Sequence, residues 1–366
     1  MDTDITKNNT PNGAAASGEA AMPHKRRVRY SGKYPKKFSE KYKELNPEKY
    51  GDQIKHVISK GNTPAGMHIP IMVKEILEVL DIKPGEQGFD GTLGYGGHTR
   101  AMLKELQGKG HLYSGDVDSI EEAKTEARLR KEGFGEDIWT PRLMNFCEID
   151  KLAQEVGGFD FVLADLGVSS MQIDNPERGF TYKADGPLDL RLDSKSGISA
   201  ADRLKEVDRD ELVGMLVENS DEPFAEEIAR QICNDLKRGI KIETTRALHE
   251  EIIKALQKVK LSKDERDMAI KKSSARVFQA LRIDVNHEFE VLYEFMEKLP
   301  HALREGGRAA ILTFHSGEDR IVKKAFQALK RAGVYRDIAT EVIRPSKEEC
   351  YNNSRAHSTK LRWAIK

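Results

Sequence analysis

Phe89-Asp90-Gly91-Thr92-Leu93-Gly94-Tyr95-Gly96-Gly97-His98 is the stretch on which the fold of this chain turns. It closes a short apolar run, QGFDGTL, and opens a helical segment that starts near Thr99. Between Gly91 and Gly97 four of seven residues are glycine. Without a Cβ the backbone can turn sharply and come close to a ligand, which suits the first strand-to-helix turn of a nucleotide-binding sheet. Twenty positions after Gly96, at the end of a second apolar run, stands Gly115-Asp116-Val117-Asp118. Its first acid is placed to accept hydrogen bonds from ribose hydroxyls. The loop is not GxGxxG and has no Lys-Ser/Thr ending, so it provides clearly for neither a pyrophosphate nor a triphosphate. S-adenosylmethionine, a nucleoside cofactor without phosphate, fits better. The plain alternatives are a tight turn made by glycines and a surface acid at Asp116.

Working outward from that loop, HIPIMVKEILEVL from His68 repeats apolar residues at helical spacing, with Ile71, Val73, Ile76, Leu77 and Leu80 on one face. Four apolar runs follow, QGFDGTL, HLYSGDV, IWTPRLMNF and FDFVLADLGV, separated by helical or polar stretches. Strands that alternate with helices imply a parallel sheet. From about Pro187 to Asp284 the pattern is helical throughout, as in RDELVGMLV, PFAEEIARQICNDL and TRALHEEIIKALQKV. The sheet resumes at LREGGRAAILTFH, where Gly306 and Gly307 are expected to stop a helix before a buried strand from Ala309 to Phe314. KLRWAIK reads as a closing strand at the sheet's edge. The expected organisation is a basic extension over 1–63, an α/β domain over 64–186 and 285–366, and a helical insertion over 187–284.

At 366 residues the chain can bury a large core, and its 60 Lys and Arg balance 60 Asp and Glu. The balance hides an asymmetry. From Lys25 to Lys60 there are 12 basic against 4 acidic residues, a net of +8, interleaved with tyrosines and Phe38. Such a segment suits a nucleic-acid arm or, equally, a solvated basic tail. No apolar run approaches the roughly 18 residues of a membrane span and no secretory leader is visible, so a cytoplasmic location is expected. Cys147, Cys233 and Cys350 are far apart and form no CxxC pair, which argues against disulfides and against a structural metal.

Phe161-Val162-Leu163-Ala164-Asp165-Leu166-Gly167-Val168-Ser169-Ser170 closely resembles a block of the MraW/RsmH family of 16S ribosomal RNA cytosine-N4 methyltransferases. The resemblance extends, in family order over about residues 68 to 366, through Gln172, Glu177 to Phe180, Asp185 to Arg191, Phe278 to Ile283, Phe314 to Ser316, Glu318 to Arg320 and Ser354 to Ala356. It implies a class I methyltransferase sheet, Rossmann-like, interrupted by an all-helical substrate-recognition domain. It implies S-adenosylmethionine contacts at Gly96, Gly97, His98, Asp116, Phe146, Asp165 and Gln172. The partner it implies is 16S ribosomal RNA or the small ribosomal subunit, with a homodimer left open. Met171, Gly317, the Ser220 to Pro223 stretch and Lys272 to Ala275 depart from the family pattern, and the extension before residue 64 is extra. These changes spare the cofactor loop and bear on which nucleotide is bound.

On the chemistry, cytosine N4 is a poor nucleophile, and an acceptor for the amine proton favours reaction, so Asp165 is the expected catalytic carboxylate. His315 is a further expected catalytic residue, able to meet RNA or orient the base, with a structural role as the equal alternative. Arg178, Arg191, Arg282, Arg320, Arg355 and Lys360 are expected at RNA phosphates. Phe146 is expected to stack on adenine, with a core aromatic as the alternative. A cytosine-C5 mechanism needs an activated thiolate, and only Cys147 lies near the active edge, without a Pro-Cys motif. Two other classes, an RNA-binding protein without activity and an NAD oxidoreductase, conflict with the intact loop and with the missing GxGxxG respectively.

Overall fold

The computed structural model describes residues 70–366. The basic extension, and the first residues of the segment expected to be helical from His68, lie outside the described residues. Alternating apolar runs and amphipathic segments fold as β1 (Gln87–Asp90), α2 (Gly97–Leu106), β2 (His111–Asp116), α3 (Ser119–Lys131), β3 (Trp139–Leu143), α4 (Ile149–Val156) and β4 (Phe159–Asp165), preceded by α1 (Val73–Leu80). A short α5 (Ser170–Asp174) follows β4. Then come α6 (Ala200–Glu206), α7 (Arg209–Ser220), α8 (Ala225–Lys237), α9 (Thr245–Gln257), α10 (Lys263–Val285) and α11 (Glu288–Ala302). The chain closes with β5 (Leu303–Thr313), α12 (Ser316–Arg331), β6 (Asp337–Ile338), α13 (Lys347–Asn352) and β7 (Lys360–Ile365).

The seven strands form one sheet in the order β3-β2-β1-β4-β5-β7-β6. β1 to β5 are mutually parallel, and β7 runs antiparallel to both β5 and β6. The parallel centre explains why FDFVLAD reads as a nearly unbroken apolar run: helices cover both faces, and β4 is buried along most of its length. Phe159, Ile149, Phe295 and Val322 pack on one side, and Met102, Leu112, Trp139 and Leu361 on the other.

Two details differ from the sequence reading. Gly306 and Gly307 do not end a helix; α11 already stops at Ala302, and the glycines lie inside β5. They form a bulge where the register with β4 jumps from Phe159↔Leu303 to Phe161↔Arg308. Gly306 takes φ +79, and a Cβ on Gly307 would sit 2.8 Å from the Arg304 carbonyl, so the bulge requires glycine. β7 is not the edge strand, because the two-residue β6 pairs along its far side. So short an edge strand has no sequence signal of its own.

Among the described residues, the helices between β4 and β5 build a separate core from Leu204, Leu212, Leu216, Ile228, Ile252 and Phe278 with their neighbours. Local chemistry fixes their starts. The side chains of Ser199, Asp208, Thr244 and Ser262 each accept a backbone N–H at the first turn of α6, α7, α9 and α10. α10 runs 23 residues and packs against α6, α7, α9 and α11.

Candidate active site

Strand order reverses between β1 and β4, and an open α/β sheet holds ligands at the carboxyl end of such a switch point. A cavity of about 380 Å³ lies there. Its sheet side is formed by residues 91–98, Asp116, Phe146 and residues 165–169, and its helical side by Leu192, Gln279, Arg282, Asn286 and Glu288.

The loop after β1 is held from below. Asp90 is fully buried and accepts from the Thr92 amide at 3.1 Å and the Thr99 hydroxyl at 2.6 Å, while burial pushes its carboxyl up. Gly91 donates to the Leu163 carbonyl, Leu93 to that of Gly115, and Gly94 to the Asp116 carboxylate at 2.7 Å. Gly96 takes φ +72, and a Cβ there would meet Thr125 at 2.7 Å and Leu129 at 2.9 Å. That glycine therefore allows α3 to close against the loop. No side chain caps the start of α2, which faces the cavity at Gly97 and His98.

Asp116 ends β2 with its second oxygen on the Asp118 amide, and burial raises its carboxyl to about 6 against the pull of the Asp118 and Gly94 amides. Asp165 ends β4. One of its oxygens lies 3.4 Å from His98 Nδ1, and the other, Oδ1, is buried without a hydrogen-bond partner. His98 Nε2 lies 2.9 Å from the Ile71 carbonyl, which can only accept, so that nitrogen carries the proton. Burial disfavours a charged His98, but the Asp165 carboxylate more than offsets this and raises its pKa.

Asp118 joins three segments. Oδ1 caps α3 through the Ile120 and Glu121 amides, and Oδ2 accepts from Gln172 Nε2 at 3.0 Å and Arg178 Nη1 at 2.6 Å. Gln172 also accepts from the Ser169 amide in a capping box at the start of α5. Opposite these groups, Arg282 holds Glu288 through Nε at 2.7 Å and Nη2 at 2.8 Å. Glu318, buried at the start of α12, accepts the Phe314 amide and lies 3.0 Å from His315 Nε2. Burial pushes Glu318 up, but His315 and the Arg282 charge pull its carboxyl below the ordinary range.

All seven residues expected at the cofactor line this one cavity, as does His315. The six cations expected at RNA divide. Arg320 is 59% exposed beside Asp221. Arg355 and Arg282 line the cavity, Arg355 while donating to Asp174. Arg178 is turned inward. Its side chain is 10% exposed, and it donates to Asp118 and to the Arg191 and Leu192 carbonyls, so its donors are engaged inside the fold. Arg191 and Lys360 are likewise held by Asp189 and Asp319 and are at most one-fifth exposed. Glu288 and Asn286 escaped the sequence reading, and Gln279 entered it only as part of the Phe278 to Ile283 block. Their cue was weak: Glu288 follows Arg282 by six positions across a break in the helix at His287, where no periodicity connects them.

Comparison with known proteins places these observations in a family. The profile described as the MraW methylase family matches residues 65–366. A protein of Agathobacter rectalis named ribosomal RNA small subunit methyltransferase H 1 is 67% identical over 94% of this chain and 98% of its own length. One of Alkaliphilus metalliredigens, named ribosomal RNA small subunit methyltransferase H 2, is 62% identical over 93% of this chain and 97% of its own.

Proposed function

The chain belongs to the MraW methylase family, and from that premise we propose that it is an S-adenosylmethionine-dependent methyltransferase acting on the N4 amine of a cytidine in 16S ribosomal RNA. The observation that carries this reading is the buried, unpartnered Oδ1 of Asp165 at the floor of a cavity between the sheet and the helical layer. Such an oxygen is open to a donor from a ligand or a water.

The residues fit S-adenosylmethionine. The uncapped start of α2 at Gly96, Gly97 and His98 suits a carboxylate, because its first amides and the helix dipole favour an anion. Asp116 suits ribose hydroxyls, Phe146 the adenine face, and Gln172 holds the Ser169 turn beneath. When bound, the cofactor supplies a methyl group on a sulfonium, open to in-line displacement.

The chain's own work is alignment and proton handling. His98 holds one Asp165 oxygen, and the Asp165 side chain lines the cavity, where its carboxylate can accept a proton of the target amine as the N–C bond forms. His315 and Glu318 brace the opposite wall. Cys147 does not line the cavity, and burial with Glu294 nearby pushes its thiol to about 11, so it stays protonated at neutral pH. Cys147→Ser should therefore keep full turnover, as a methyl-transfer assay would report. The target base must leave its helix to reach Asp165, and we place the extruded cytidine between the sheet domain over 64–186 and 285–366 and the helical domain over 187–284. Mass spectrometry of small-subunit ribosomal RNA from cells with and without the gene tests the proposal: one N4-methylated cytidine should disappear with the gene. An unchanged nucleoside profile would refute it.

A further inference from the structure

We propose that Arg282 is a specificity-determining residue that reads the target base, donating from its free end-on fork to the N3 and O2 acceptors of cytosine while Asp165 takes the amine. The inference rests on the reading above and extends it from the reacting nitrogen to the opposite end of the base.

Three observations carry it. Arg282 is a cation with 13% side-chain exposure that lines the cavity, far too enclosed to track an outer phosphate. Glu288 engages it side-on, through Nε and one Nη2 hydrogen, so the fork of Nη1 and the second Nη2 hydrogen has no partner among the described residues. Finally, Gly167 stands beside that fork on the wall of the same cavity. A Cβ on Gly167 would stand 4.0 Å from both Nη1 and Nη2 and 3.9 Å from the Phe314 ring, and Gly167 takes φ +91, so the backbone there favours a residue that leaves the space open.

Gly167 is two residues beyond Asp165, which brings a free acceptor and a free two-donor fork to the same short loop. Cytosine presents the complement, an amine at one end of its pairing edge and two acceptors at the other. Uracil would set N3–H against the fork and a carbonyl against Asp165, leaving both protein groups unsatisfied. Glu288 keeps the guanidinium plane fixed, as a bidentate contact requires.

The test compares methyl transfer to small subunits reconstituted with ribosomal RNA carrying either cytidine or 3-deazacytidine, which lacks the N3 acceptor, at the target position. The ratio of kcat/KM for the two substrates should shift by about 10- to 100-fold between the unaltered enzyme and Arg282→Gln, the range of a bidentate base contact. Affinity for S-adenosylhomocysteine should stay the same. If Arg282→Gln unfolds because Glu288 is left buried and unpaired, the double variant Arg282→Gln with Glu288→Gln carries the same comparison. A ratio that does not move overturns the assignment and leaves Arg282 a structural ion pair. Failure of the unaltered enzyme on cytidine itself would instead sink the proposed function.

Discussion

Asp165 and Asp116 end neighbouring parts of the sheet, yet their surroundings prepare them for different work. Asp165 has one oxygen against His98 and one without a hydrogen-bond partner among the described residues. Asp165→Asn should lower kcat by about 100-fold or more, the ordinary contribution of a positioned proton acceptor, in a single-turnover assay. Full turnover in that variant would remove Asp165 from the chemistry. Asp116 has both oxygens on backbone amides and a pKa raised to about 6. Its carboxylate is the better acceptor for hydroxyls, so affinity for the cofactor should fall as pH drops through about 6, and titration calorimetry would show it. Unfolding would not mimic the effect. A carboxyl whose pKa is higher folded than unfolded adds stability below the unfolded value and loses it as pH rises through about 6, so acidification over this window favours the fold at that residue. Sequence alone could name both acids, since each closes an apolar run after a turn. It could not assign the empty oxygen to Asp165, which depends on where α1 leaves the Ile71 carbonyl.

Periodicity carried most of the architecture at the level of elements. The strands over 87–165 alternate with amphipathic helices, and the long helical stretch between β4 and β5 lacks any period of two. What it could not carry is pairing set by distant residues. β6 has two residues and exists because β7 offers an edge, and the bulge at Gly306 and Gly307 is visible only once β4 lies beside β5. Arg178 shows the same limit. In sequence it is one more arginine of a conspicuous block; in the fold it neutralises Asp118, whose side chain is 3% exposed. Arg178→Ala should therefore destabilise the protein by about 3–5 kcal/mol, because it leaves a buried carboxylate unpaired. Urea denaturation measures this, and a loss below 1 kcal/mol would show that the pair is dispensable.

For the molecule as a whole, charge matters by location. The formal balance of 60 against 60 gives no hint of an RNA surface, and intramolecular pairs hold Arg178, Arg191 and Lys360. Arg320, exposed on α12 with Asp221 4.0 Å away, is the cation we propose for a phosphate. Arg320→Ala should weaken RNA binding uniformly and reduce the salt slope of log K by about 1, whereas a folded Arg178 variant should keep the slope of the unaltered protein. Equal slopes for Arg320→Ala and the unaltered protein would place the RNA elsewhere. Asp118 clasps the first turn of α3, Gln172 of the short helix after β4, and the arginine that steadies the carbonyls of residues 191 and 192. The loop after β2, the turn after β4 and the segment at 191–192 thus share one clasp, and any coupling between ligands seated on either side of it would act on both by an equal factor.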